Sequence, residues 1–229
     1  MTETNQSSEA RHTILSSIRE HLAASKRFDV RGLHSLTVGE RQGLESPEGD
    51  RQRPVIEVFR QALEAVSGNF ITAHSLQEVA HEIQRIIDEK QAHRIAVSNN
   101  RRVREIIAQL KTDATFLEGP AQAELFDCDL GITGAQWAIA ETGTLVIESE
   151  RERNRFASLV PPVHIAIIEG SRIRQTMSEV LELIRNSEVG LSRAVTFITG
   201  PSRTSDIELT LAIGVHGPGE LHVIAIDDL

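Results

Sequence analysis

Near the start of the chain, apolar Ile14, Leu15, Ile18 and Leu22 recur at helical spacing on an otherwise polar stretch. That spacing predicts an amphipathic helix from Ser8 to about Phe28. From Asp29 to Arg53 the period disappears, and Gly32, Gly39, Gly43, Gly49 and Pro47 punctuate polar residues. The stretch reads as an extended linker. Residues 1–53 are therefore expected to form a helical arm and linker, and residues 54–229 the main α/β domain. The arm has two places to bury its apolar stripe, its own domain or a partner.

After Pro54 the pattern changes to helices alternating with short strands. Val55, Phe59, Leu63 and Val66 share one helical face, and Phe70 to Ala73 is a strand candidate. Ser75 with Glu78 predicts a capping box ahead of a helix whose stripe is Leu76, Val79, Ile83, Ile86 and Ile87. Next come a strand from Arg94 to Ser98, a helix carrying Val103, Ile106, Ile107 and Leu110, and a strand from Thr115 to Leu117. Strand-helix alternation of this kind predicts parallel pairing in a helix-covered sheet. The second half offers strands at Thr144 to Ile147, Val163 to Ile168, Val195 to Thr199, Leu209 to Val215 and Leu221 to Ile226. A helix from Met177 to Arg185 interrupts them, with Thr176 and Glu179 as a second capping box. His216-Gly217-Pro218-Gly219 predicts a tight turn joining the last two strands as an antiparallel hairpin, which makes the sheet mixed.

Composition narrows the function. At 229 residues the chain can bury one large core, and with 40% hydrophobic but only 3% aromatic residues that core rests on Ile, Leu, Val and Ala. A net charge of -9 disfavours a phosphate-backbone partner, which calls for a concentrated basic surface. The runs Arg101-Arg102-Val103-Arg104 and Arg151-Glu152-Arg153-Asn154-Arg155 do not reverse this and read as solvated helix or loop charge. The single cysteine, Cys128, can form no internal disulfide and cannot supply the thiolates of an iron-sulfur cluster. Its neighbours Asp127 and Asp129 also disfavour a thiolate nucleophile. The histidines lack ligand spacing, so no metal site is expected. The polar N-terminus and the lack of any run of about 20 apolar residues lead to an expectation of a cytoplasmic protein without a membrane span.

Three segments place glycine, hydroxyls and carboxylates where apolar strands begin or end. In the first, Glu141 lies in an apolar stretch directly before Thr142-Gly143-Thr144. Partial desolvation would suit it to act as base or nucleophile, while the competing reading has it cap backbone amides of the turn. In the second, Arg155 precedes Pro161-Pro162 and His164 opens a strand. The arginine could clamp a carboxylate or join a surface ion pair, and the histidine could act in a site or be a satisfied core residue. In the third, a strand runs into Gly200-Pro201-Ser202-Arg203-Thr204-Ser205-Asp206-Ile207-Glu208. Its free amides could form an anion nest around one guanidinium, or be plain turn chemistry. His216 and Gly217 complete the candidates.

Taken in order, Ala140-Glu141-Thr142-Gly143-Thr144, the Arg155 to His164 stretch ending Pro161-Pro162-Val163-His164-Ile165, the Gly200 to Glu208 run, and Gly214-Val215-His216-Gly217-Pro218 followed by Leu221-His222-Val223 resemble the lactate-utilization domain family over most of Pro54 to Leu229. The short length and lack of cysteine motifs fit the family's small member better than its larger iron-sulfur relative. The resemblance implies a three-layer α/β fold similar to the ribose-phosphate isomerase and coenzyme A transferase group. It also implies iron-sulfur partner proteins that together oxidise L-lactate to pyruvate, with this chain as an accessory subunit holding no redox centre. Two alternatives stay open: an independent enzyme using Glu141 on a small acyl or phosphorylated substrate, and a module that senses a carboxylate metabolite.

Overall fold

Pro54 leads into helix α1 (Val55–Ala65), which turns Val58, Phe59 and Leu63 inward. After strand β1 (Asn69–Ala73), the Ser75 hydroxyl accepts the Glu78 amide hydrogen at the start of α2 (Leu76–Lys90), and the Glu78 carboxylate accepts the His74 amide. The first contact satisfies a backbone amide that a helix start leaves open, as the capping box predicts, and the second ties down the residue before the cap. The chain continues through β2 (Arg94–Val97), α3 (Arg101–Ile107), β3 (Thr115–Glu118), α4 (Gln122–Leu125) and β4 (Leu130–Gly134). Strands β5 (Trp137–Ile139), β6 (Thr144–Glu148), β7 (Val163–Glu169) and β8 (Ile173–Arg174) follow, then α5 (Met177–Arg185). Strands β9 (Val195–Ile198), β10 (Arg203–Ser205), β11 (Leu211–Ile213) and β12 (Glu220–Ile226) complete the described chain. This computed structural model describes residues 16, 54–187, 190, 192–205, 211–213 and 217–227. The expected N-terminal arm and linker lie outside the described residues, apart from Ser16.

Six strands join in the order β1-β12-β7-β4-β2-β3, and every pairing is parallel. On one face Ile132, Ile165 and Ile224 pack with Ile83, Ile86, Val103 and Ile106 of α2 and α3. On the other, Ala166, Val223 and Ala225 meet Phe59 and Leu63 of α1 together with Ala138 and Leu145 of a second sheet. That second sheet, in the order β8-β5-β6-β9, combines parallel and antiparallel pairs. Helix α5 covers its outer side, setting Val180 and Ile184 against Ile139 and Val146. The protein is thus a mixed α/β structure whose six-stranded sheet is flanked by helices.

One expected pairing does not form. Strand β12 lies between β7 and β1, parallel to both, while β11 pairs antiparallel with β10. Gly217-Pro218-Gly219 is a lead-in and not a hairpin turn, because the Gly219 and Glu220 amides bond the Pro162 carbonyl at the entrance to β7. The near-continuous apolar run of β12 needs cover on both faces, which a central parallel slot provides. Strands β4, β5, β8 and β10 were also not anticipated. The first two lie in the apolar stretch before Glu141, and β8 and β10 are only two and three residues long.

Candidate functional site at the two ends of the parallel sheet

Strand β2 sends the chain outward to β3, whereas its neighbour β4 sends it the other way, toward β7. Beyond the carboxyl ends of strands that diverge in this way, an open α/β sheet leaves a binding crevice. Here the crevice measures about 400 Å³. Asn100, Gly134 and Gln136 form one side of it, and Trp137 with Arg102, Arg151, Arg172 and Glu169 form much of the rest. Arg102 bonds Glu169 at 3.0 Å and Arg172 approaches the same carboxylate at 3.7 Å. The guanidinium carbons of Arg172 and Arg174 lie 4.9 and 5.2 Å from the Trp137 ring centre. Two cations therefore already stand over the Trp137 ring.

Behind this lining lies Glu152, with no solvent exposure. Its Oε1 accepts hydrogen bonds from Asn100 Nδ2 and from Gln136 Nε2 at 3.2 Å, while Oε2 has no partner within hydrogen-bond geometry among the described residues. Burial pushes the carboxyl above its ordinary range, and the adjacent Ser98 hydroxyl, Asn100, the Gly134 amide and Gln136 pull against that. Gly134 permits the cluster: a Cβ there would come within 2.6 Å of both Asn100 Nδ2 and Glu152 Oε1. The sequence reading placed Glu152 in a solvated charge run. Its Arg-Glu-Arg surroundings carry no sign of burial, and the available signal was indirect: Asn100 follows one apolar strand, and Gly134 with Gln136 follows another.

At the opposite, amino end of the sheet, a cavity of about 210 Å³ is lined by His164, Gly200, Pro201, Ser202 and Gly217, together with Thr199 and the apolar Leu159, Phe197 and Leu221. The structure thus brings together five of the residues singled out in the sequence. His164 is fully buried; its Nε2 lies 2.8 Å from Thr133 Oγ1, and Nδ1 is without a partner among the described residues. Burial drives its pKa down to about 3, with His222 adding to the effect, so the ring is neutral at physiological pH. A hydroxyl chain runs from Thr142 to Thr144 and on to Thr199, with links of 2.7 and 2.8 Å, and ends at this cavity.

Other candidates fall elsewhere. Glu141 sits exposed in a one-turn 3-10 helix, where its Oε1 accepts the Met177 amide at 2.9 Å and so caps α5. The expected partial desolvation is not found, because the 3-10 turn carries the side chain outward from the apolar strands on either side. Gly143 adopts φ 64 and packs against the α1 backbone at Leu63, so its role is close approach. Arg155 lies against the Phe156 ring at 5.3 Å and lines neither cavity. Arg203 Nη2 is taken by Val66 O at 3.0 Å and by Ser67 Oγ. Thr204 pairs with Ala212 between β10 and β11. Asp206, Glu208 and His216 lie outside the described residues.

Cys128 is buried, and its thiol donates to the Glu124 carbonyl at 3.3 Å. Burial pushes its pKa up; Asp129 and Asp127 reinforce this and Arg94 opposes it. A single buried thiol does not fit as a cluster ligand set. Among the described residues there is no grouping of three or more His, Cys, Asp or Glu side chains able to hold a metal ion, and no helix long and apolar enough to cross a membrane.

Two of the known proteins similar to this chain carry the same name. Lactate utilization protein C of Oceanobacillus iheyensis is 27% identical over 81% of this chain and 90% of its own length. The protein of the same name from Anoxybacillus flavithermus is 28% identical over 79% and 84%. An uncharacterized protein of Neisseria meningitidis is 45% identical over a shorter stretch, 43% of this chain and 42% of that protein. Among solved structures, a DUF162 family protein from Deinococcus radiodurans superposes with a TM-score of 0.57 at 24% identity, over 75% of this chain and 96% of that one, which speaks to the fold. The LUD domain model matches residues 56–226, and the chain belongs to the LUD domain family.

Proposed function

We propose that this chain serves lactate utilization as an accessory subunit without a redox centre of its own, working in the cytoplasm with iron-sulfur proteins that oxidise L-lactate to pyruvate. The observation that carries the reading is the similarity to two proteins named lactate utilization protein C, over 81% and 79% of this chain and 90% and 84% of their lengths. The cysteine count supports it, since Cys128 alone cannot ligate a cluster and the iron-sulfur centres of the proposed reaction would lie in other chains. The crevice at the carboxyl ends of the strands is the part of this chain suited to substrate.

The test is L-lactate oxidation by purified iron-sulfur partners with this chain added, omitted, or replaced by Glu141→Gln. The expected result is loss of activity on omission, together with copurification of chain and partners. Activity independent of this chain would overturn the reading. Because Glu141 is exposed and caps α5, Glu141→Gln is expected to restore activity; failure of a folded, partner-bound Glu141→Gln would support the alternative of direct chemistry at Glu141.

A further inference from the structure

From the hydrogen-bond geometry of the crevice we infer that it is a binding site for a small carboxylate, held by the guanidinium groups of Arg151 and Arg102 and by the second amide hydrogens of Asn100 and Gln136. This deepens the reading above by naming the ligand class of one site.

The argument turns on which way the two amides face. Asn100 Oδ1 accepts the amide hydrogens of Arg102 and Val103 at 2.9 and 3.4 Å, and Gln136 Oε1 accepts that of Glu148 at 2.7 Å. Backbone N–H groups can only donate, so both side-chain oxygens are fixed and both NH2 groups are turned toward Glu152. Each NH2 carries two hydrogens, and Glu152 Oε1 takes one from each. The remaining hydrogens belong to two residues that line the crevice. Among the described lining residues, three guanidinium groups stand around them against one carboxylate, Glu169, which Arg102 and Arg172 share. Arg151 is the least committed of the three, with Glu148 4.0 Å away. A site built from donors and positive charge calls for a ligand rich in acceptors, and planar guanidinium forks suit a carboxylate. Glu152 acts here as a positioning residue: it is buried behind the lining and holds both amides in place.

Calorimetric titration of the full chain with L-lactate and with pyruvate should give saturable binding, with propane-1,2-diol, the neutral counterpart, binding at least tenfold more weakly. Arg151→Ala should weaken carboxylate binding about tenfold or more. Asn100→Ser, which keeps an N-cap hydroxyl but removes the NH2, should do the same. Arg193→Ala, at a side chain 93% exposed and outside the crevice lining, should bind as the parent does. No saturable binding, equal binding of the diol, tighter binding of inorganic phosphate than of either carboxylate, or an unaffected Arg151→Ala would each overturn the assignment. If Asn100→Ser fails to fold, Arg151→Ala decides alone, since that arginine is half exposed. Copurification with iron-sulfur partners is a separate readout, so the binding site and the accessory role can fail independently.

Discussion

The two ends of the parallel sheet solve one physical problem with opposite chemistry. At the carboxyl end the protein buries an acid, Glu152, and at the amino end a base, His164, each with one polar atom lacking a partner among the described residues. Burial favours the neutral form in both cases, raising the acid's pKa and lowering the base's. The surroundings differ. Glu152 is wrapped in donors beside a crevice lined by arginines, whereas His164 has one hydroxyl partner and, among the described residues, a largely apolar cavity lining without charged side chains. A buried titratable group alone therefore does not define an anion site; the charges and donors around it do.

Several changes would break or sharpen this contrast. The largest effect is expected from Gly131→Ala, beside His164 in register, where a new Cβ would run into the Ala157 carbonyl. Backbone cannot step aside as a side-chain tip can, so the loss should be roughly 3 kcal/mol or more, read as a denaturant midpoint. Gly134→Ala, which meets side-chain atoms of Asn100 and Glu152, should cost less but disturb the crevice.

Acidification comes next. His164 stays neutral in the fold down to about pH 3, while the unfolded chain takes up a proton near 6.5. Its contribution to stability is whole above pH 6.5 and is lost as pH falls toward 3, at up to about 1.4 kcal/mol per pH unit. His164→Leu should flatten that part of the stability profile; an unchanged slope would mean that the ring titrates in the fold.

Glu152 carries the opposite sign. Its folded pKa lies above the unfolded value, so its contribution is whole at low pH and is lost as pH rises through the folded pKa. Glu152→Gln keeps an acceptor for the two amides and cannot ionise, so its melting temperature relative to the parent should improve from pH 5 to pH 8. A constant difference between the two proteins would contradict the raised pKa. The smallest effect is expected for Glu141→Gln, an exposed cap of α5, at about 0.5 kcal/mol, or 1 to 2 °C in melting temperature.

Much of the fold was legible in the sequence because its signals are local. The Ser75/Glu78 and Thr176/Glu179 pairs place their helices within a residue, since capping chemistry depends on neighbours three positions apart. The stripe Val79, Ile83, Ile86 and Ile87 is buried as its spacing predicts. The pairing of β12 was not legible that way: a glycine-proline turn looks alike whether it closes a hairpin or feeds a central strand, and only the Pro162 carbonyl beside β7 decides.

The candidate site divides along the same line. His164, Gly200, Pro201, Ser202 and Gly217 were each visible as strand-end chemistry and do converge on one cavity, whereas Glu141, equally visible, turned out to be an exposed cap. Glu152 was hidden because the three residues it joins, Asn100, Gly134 and Gln136, come from two different strand ends. The sequence by itself determined the alternation of elements, the helix starts, the lack of thiolates for a cluster and the family. Tertiary structure alone decided which carboxylate is buried, which way two amides face and where positive charge gathers, because burial and donor direction depend on contacts between residues far apart in the chain.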